Sequence, residues 1–442
     1  MPEKKPTPPS PKPAKKSVAT SVKGMRDIMG DEYYEMQGLY EKAQEIAMYY
    51  GFQPIDTPIL EDQSIFEKGI GDGTDVVDKE MYALKTKGGD KLVMRPEKTA
   101  AVMRSYIEHG MKSWPQPVML YYYGPMFRHD RPQRGRYRQF HQFGMEILGT
   151  DKPVADALII QTTMSILREA GADDIYVDIN SIGDKDSRKE YEKELKAYYR
   201  KHINDLGTAD RERLKTNPLR VLDSKDPKTV AINADAPESI NFLNNASKKH
   251  FKQVLEYLEE LDIPYRINKT LVRGFDYYTD TVFEVMETKI DEDGNEMKPL
   301  AILGGGRYNY LATTMGHRKD VPAVGVALGV ERIIESDWWK KLTPRIIKDP
   351  KVYFIQLGLD AKLKSLNIVE MLRKAKIPMI QSLSKDALGS QLSAAQKSGV
   401  PYAVIFGQRE ALDNTVIVRN METRSQKTVP MDKLVDYLKK AK

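Results

Sequence analysis

The stretch FRHDRPQRGRYRQFHQFGMEI, residues 127–147, carries five arginines in eleven positions: Arg128, Arg131, Arg134, Arg136 and Arg138, around Gly135. A guanidinium stays charged and forks onto two oxygens, so such a row suits a phosphate ligand, either a nucleotide or an RNA backbone; the alternative is a solvated arginine-rich hairpin. Four other stretches concentrate reactive or ligand-binding side chains. LVRGFDYYTDTVFE gathers Arg273, Asp276, Tyr277 and Tyr278 at the mouth of a strand, where buried tyrosines with satisfied hydroxyls are the ordinary explanation. RPEKTAA places Glu97 and Thr99 at a helix start, where they would cap it. ILGGGRY sets Gly304, Gly305 and Gly306 before Arg307 with neither Rossmann nor P-loop spacing, which reads most simply as a tight turn or close backbone packing. PAVGVALGVERII ends in Arg332 at a strand-to-helix step, where a surface ion pair would suffice.

Composition narrows the chemistry. The 442 residues contain no cysteine and six scattered histidines, which excludes disulfides and thiolate metal sites and argues against zinc catalysis, so no protein-ligated metal is expected. The net charge of +6 is unevenly spread: residues 1–23 carry +5, residues 350–442 carry +8, and the middle carries −7. A basic unit beside an acidic body fits an RNA-contacting appendage, and surface lysines serving solubility fit it as well. No run of eighteen apolar residues and no leader-like segment occurs, so no membrane association is expected and the location is expected to be cytoplasmic.

The elements that hold these residues follow from periodicity. Residues 1–22 are rich in proline and lysine and cannot offset the entropy of ordering, so a disordered tail is expected. Met36, Leu39, Tyr40, Ala43, Ile46 and Ala47 recur as on an amphipathic helix from Asp31 to Tyr50, ended by Gly51. VMLYYYG, QFHQFGMEILG, DIYVDINSIG, TVFEVMET, PLAILGGG and AVGVALG read as strands with too little between many of them for parallel crossovers. The expected class is α+β: an antiparallel sheet with helices on one side, over residues 23–182 and 263–345. A charged helical module at 183–262, containing RKEYEKELKAYYRKHI and SKKHFKQVLEYLEEL, interrupts it. Strands alternating with helices after Pro350 predict a separate α/β domain with a mixed sheet over 350–442.

Taken together, these stretches resemble the histidyl-tRNA synthetases, from about Lys23 to the end of the chain. GFQPIDTPILEDQSIF is similar to the first class II motif, a dimer-forming helix and strand around Pro58; YGPMFRHDRPQRGRYRQFHQFGMEILG is similar to the second and PAVGVALGVERII to the third. LVRGFDYYTDTVFE and LGGGRYNYL resemble the two peptides that single out the histidine enzymes. The resemblance implies a class II catalytic domain with a helical insertion that embraces the tRNA acceptor arm, and a C-terminal anticodon-binding domain of the class IIa type. It implies a homodimer that joins histidine to tRNA(His) at the expense of ATP, with Mg²⁺ bridging the phosphates.

By the same resemblance, Arg128 contacts the α-phosphate of ATP and Arg332 the γ-phosphate. Arg273 reaches the α-phosphate from the other side in place of a metal ion, and Arg136, Gly305 and Gly306 complete the nucleotide site. Glu97, Thr99 and Gln142 bind the ammonium of histidine, and Glu146 and Tyr278 clasp its ring, with Tyr277 and Arg273 alongside. Gln133 and Arg138 match acceptor-end contacts. Lys98, Asp130 and Asn309 depart from the family's usual Gly, Glu and Asp, and Lys98 is expected to point away from Glu97. The rivals are a non-catalytic paralogue serving as a regulatory subunit in histidine biosynthesis, which typically lacks the C-terminal domain and parts of the histidine-specific peptides, and an RNA-binding protein without turnover.

Overall fold

The computed structural model describes residues 19–71, 74–131, 135–288, 300–345, 348–384 and 386–441. It falls into two units, one ending at Pro344 and one running from Arg345.

In the first unit the strands are β1 (Gln53–Pro54), β2 (Leu60–Asp62), β3 (Tyr82–Lys85), β4 (Lys91–Met94), β5 (Val118–Phe127), β6 (Gln139–Leu148), β7 (Ile175–Ser181), β8 (Tyr265–Ile267), β9 (Thr279–Glu287), β10 (Leu300–Arg307) and β11 (Ala323–Gly329). The helices are α1 (Asp31–Tyr49), α2 (Gln63–Ile70), α3 (Thr99–Glu108), α4 (Pro153–Ala170), α5 (Lys185–Lys201), α6 (Thr208–Thr216), α7 (Leu219–Leu222), α8 (Pro227–Asn233), α9 (Asn245–Glu260), α10 (Leu311–Thr314) and α11 (Val330–Ile334). One sheet runs in the order β1-β5-β6-β11-β10-β9-β7-β8, antiparallel except at its edges, where β1 lies parallel to β5 and β8 parallel to β7. A small sheet, β2-β4-β3, stands apart from it.

Side chains on a strand alternate between faces, and here the two faces differ in kind. Phe143, Met145 and Ile147 of β6, Phe283 and Val285 of β9, and Val324, Val326 and Leu328 of β11 join Met36, Leu39 and Ala43 of α1 and Ile159, Ile160 and Met164 of α4 in the main core. The opposite face is small and polar. One row across five strands reads Tyr122, Gly144, Ala327, Gly304 and Glu284, and the next reads Leu120, Glu146, Gly325, Gly306 and Val282. Helix α3 and the segment around Leu271 to Tyr278 cover part of that face, so helices lie on both sides of the sheet.

Helices α5 to α8 have a core of their own, with Tyr191, Leu195, Tyr199, Leu214 and Val221. Helix α9, grouped with them by its charge, packs elsewhere: Phe251, Val254 and Leu258 enter the main core. Its charged residues mark a solvated face, and the buried stripe decides where it sits.

The second unit contains β12 (Val352–Gln356), α12 (Leu359–Lys374), β13 (Met379–Gln381), α13 (Leu388–Lys397), β14 (Tyr402–Phe406), α14 (Gln408–Asp413), β15 (Thr415–Asn420), β16 (Gln426–Pro430) and α15 (Leu434–Lys440). Its sheet, β13-β12-β14-β15-β16, is mixed, parallel through β13, β12 and β14 and antiparallel beyond. Ile368 and Leu372 of α12 and Leu434 and Leu438 of α15 cover one face, and Ala395 of α13 packs on the other. Among the described residues no helix is long and apolar enough to cross a membrane.

Candidate active site

The polar face of the large sheet gathers most of the residues singled out above. Glu146 lies at its centre, fully buried, because the facing position on β11 is Gly325; a Cβ there would stand 1.6 Å from Glu146 Oε2. Three hydroxyls donate to its carboxylate: Thr99 at 2.8 Å and Tyr122 at 3.3 Å to Oε1, and Tyr308 at 2.5 Å to Oε2. Burial outweighs the hydrogen bonds from Tyr308 and Thr99, and with the nearby Glu97 charge it pushes the carboxyl up from 4.5 to about 8.

The folded chain therefore holds this proton more tightly than the unfolded one. Its contribution to stability is complete below about 4.5 and is lost as pH rises through about 8. Glu146→Gln escapes that loss, so in thermal melts from about pH 6 to about pH 9 its Tm relative to wild type should climb by roughly a few degrees. A flat difference would contradict the raised carboxyl.

Glu97 accepts from the backbone N–H groups of Thr99 at 2.6 Å and Ala100 at 2.9 Å, so it caps α3 and is held at the pocket wall. Burial raises it too, against those two bonds. Gln142 lies on the same face of β6, and its Oε1 is buried with no hydrogen-bond partner among the described residues, a free acceptor for a cationic ligand. Tyr277 and Tyr278 are buried against one another with ring centroids 4.6 Å apart; Tyr277 meets Tyr308 edge-on at 5.7 Å, and Tyr278 lies over Gly306, where a Cβ would come within 2.9 Å of its ring.

A cluster of guanidiniums adjoins this pocket. Arg273 crosses Gly304, whose missing Cβ would stand 2.4 Å from its Nη1, and pairs with Glu284 on the neighbouring strand. Arg128 donates through Nε to the Pro96 carbonyl at 2.8 Å and lies 5.2 Å from the Phe140 ring and 5.5 Å from that of Phe275. Burial first, and then the charges of Arg136, Arg128 and Arg273, pull the Arg332 guanidinium below its ordinary value, against Glu284. Four guanidiniums thus lie close enough to act on one another, two of them paired with Asp130 and Glu284, an arrangement suited to a polyanion. Arg136 meets Asp130 at 3.3 Å. Arg138 donates to the carbonyls of Asp130 and Lys23, both at 3.2 Å, at the outer end of the hairpin. Gln133 and Arg134 lie outside the described residues.

Gly305 turns toward Phe283 and the Gly325 carbonyl, which a Cβ would meet at 2.7 and 2.3 Å, on the opposite face from Arg273 and Tyr278. Gly304, given no role beforehand, is the glycine that makes room for Arg273. Tyr122, Tyr308 and Glu284 belong to the site as well, beyond the residues singled out from the sequence. Tyr308 directly follows GGGR and Glu284 closes LVRGFDYYTDTVFE, so the signal for both was position within the peptides.

Lys98 and Asn309, two of the three departures, are accommodated. Lys98 turns from Glu97 to Asp56 at 2.6 Å, fully buried, and burial against the Asp56 hydrogen bond lowers it to about 8. Asn309 donates to Asp280 at 3.1 Å, where an aspartate would set two carboxylates together.

A family model described as histidyl-tRNA synthetase matches residues 24–333, and one described as an anticodon binding domain matches residues 351–441. The histidine-tRNA ligase of Dehalococcoides mccartyi is 39% identical over 420 residues, covering 95% of this chain and 99% of its own length. That of Thermosynechococcus vestitus is 40% identical over 413 residues, covering 93% and 94%. The crystal structure of apo S. aureus histidyl-tRNA synthetase is similar with a TM-score of 0.77 at 32% identity, over 96% of this chain and all of that one. With a buried carboxylate pocket opening beside four arginines, and with relatives alike along almost the whole length, the chain belongs to the histidyl-tRNA synthetase family.

Proposed function

We propose that the chain is a histidine-tRNA ligase that activates histidine with ATP and transfers it to tRNA(His). The observation that carries this reading is the meeting, on one sheet face, of the Glu146 pocket with the cluster of Arg128, Arg136, Arg273 and Arg332. A carboxylate oxygen of histidine attacks the α-phosphorus, the bond from that phosphorus to the bridging oxygen breaks, and pyrophosphate leaves; the terminal ribose hydroxyl of tRNA then attacks the acyl carbon and AMP leaves. Two anions must meet in the first step, so positioning and charge neutralisation dominate it.

In this reading Arg128 and Arg273 flank the α-phosphate, and Arg332 with Arg136 holds the outer phosphates. Gly306 lies under the site with Gly304. Glu97, Thr99 and Gln142 receive the ammonium, and Glu146 and Tyr278, beside Tyr277, receive the ring. A pocket of paired polar groups rejects amino acids that cannot complete it by roughly 10⁴ to 10⁵. Mg²⁺ would enter with ATP and neutralise phosphate charge.

The second unit, with its net charge of +8 over residues 350–442, takes the anticodon arm; Arg138, Gln133 and the helical module take the acceptor end. The homodimer is formed through residues 51–66, where Ile59 and Leu60 are exposed. The work is cytoplasmic, where tRNA is charged.

Pyrophosphate exchange into ATP, run with each amino acid in turn, should proceed with histidine alone; exchange with none removes the enzyme reading. A chain ending near Pro344 should keep exchange and lose tRNA charging by about 10²-fold or more, as expected when phosphate contacts are removed from an RNA interface.

A further inference from the structure

The helical module is bound to the peptide that carries Arg273, Tyr277 and Tyr278. Arg188, on α5, donates through Nη1 to the main-chain carbonyls of Asp276 at 2.8 Å and Tyr278 at 3.3 Å, while its Nε is held by Glu192 at 2.8 Å. Asn217, between α6 and α7, donates to Asp276 Oδ1 at 2.6 Å. Val272 packs into the module's own core and into the core beneath the site.

From the other side the peptide is seated on the catalytic body. The Asp276 N–H donates to the Ile70 carbonyl at 2.9 Å, and Gly71, at φ +101°, leaves space that a Cβ would close to 2.6 Å from Asp276 Oδ2. The module also reaches the body at Asp75, 3.2 Å from Arg220 and 3.9 Å from Arg213.

We propose that the helical module is a working part of the amino-acid site, with Arg188 and Asn217 as positioning residues that fix the turn from Asp276 to Tyr278. This rests on the histidine site described above. A turn held by two carbonyls and one carboxylate presents its tyrosine rings in one orientation; released on the module side, it loses those three anchors and the rings lose their register with Tyr308 and Gly306. The effect falls on histidine and spares ATP, because the module residues named here touch none of Arg128, Arg136 and Arg332.

The test uses the full chain and pyrophosphate exchange with histidine and ATP varied separately. Arg188→Ala should raise KM for histidine roughly tenfold or more, the cost of lost charge-assisted hydrogen bonds, and leave KM for ATP within about twofold. Arg188→Lys, which retains charge but not the fork, should fall between. Asn217→Asp opposes two carboxylates and should act in the same direction; it carries the test alone if Arg188→Ala does not fold. Folded variants with unchanged KM for histidine, or with both KM values raised together, overturn the proposal. Wild-type protein that exchanges normally beside such variants would leave the ligase reading intact, whereas wild-type protein that exchanges with no amino acid removes that reading and this one with it.

Discussion

Arg273→Ala is expected to slow adenylate formation by about 10²- to 10³-fold, the scale of removing one pre-aimed charge from a developing anion. KM for ATP should change by no more than about threefold, since Arg128, Arg136 and Arg332 remain and the lost charge acts mainly in the transition state. The geometry makes Arg273 hard to replace. Its guanidinium lies in a slot that exists only because residue 304 is glycine, and Glu284 holds it from one side. Its Nε is buried without a hydrogen-bond partner among the described residues, leaving donor capacity for a substrate oxygen. Burial raises the carboxyl of Glu284, so in the variant it takes up a proton more readily and the fold should persist. Lysine at 273 keeps the charge without the fork and should recover part of the rate. Single-turnover adenylate formation measures this directly; a rate equal to wild type would refute the proposed role.

Glu146→Ala should lower kcat/KM for histidine by about 10³-fold or more, by the same logic through which sites built on hydrogen bonds discriminate among substrates. The variant loses a substrate contact and also strands the hydroxyls of Thr99, Tyr122 and Tyr308, which donate to that one carboxylate. Each stranded donor in a buried pocket costs about 1–3 kcal/mol unless water enters, so Tm should fall as well. KM for ATP should hold, which separates a damaged histidine pocket from a damaged fold. Exchange kinetics with wild-type KM for histidine would sink the assignment.

The large sheet was legible because its strands are long and alternate cleanly. β6 puts Phe143, Met145 and Ile147 on one side and Gln142, Gly144 and Glu146 on the other, and that one pattern places two ligand candidates on a common face. Shorter strands left no such trace. In β16 only Val429 is buried, and β3 buries none of its four residues, so neither has an apolar period to read. In helix α9 surface charge dominates the composition while Phe251, Val254 and Leu258 determine its packing, so its place in the fold is not written in its charge.

At the site, arginines and tyrosines could be named from the peptides, but their partners could not. Arg273 pairs with Glu284 eleven residues on, and the hydroxyls on Glu146 come from three separate elements, so both depend on sheet register. Lys98 shows the same limit: its partner, Asp56, is 42 residues away and follows β1.

The four arginines also bear on the reverse direction of the reaction. Guanidiniums gathered near one another are stabilised by any compact polyanion, and the leaving group is one. Pyrophosphate should therefore dissociate slowly, compete with ATP, and raise the melting temperature of the otherwise empty protein. The forward yield then depends on how quickly the surroundings destroy that product, and raising ionic strength, by shielding the cleft, should hasten its escape at the cost of weaker capture of the incoming nucleotide.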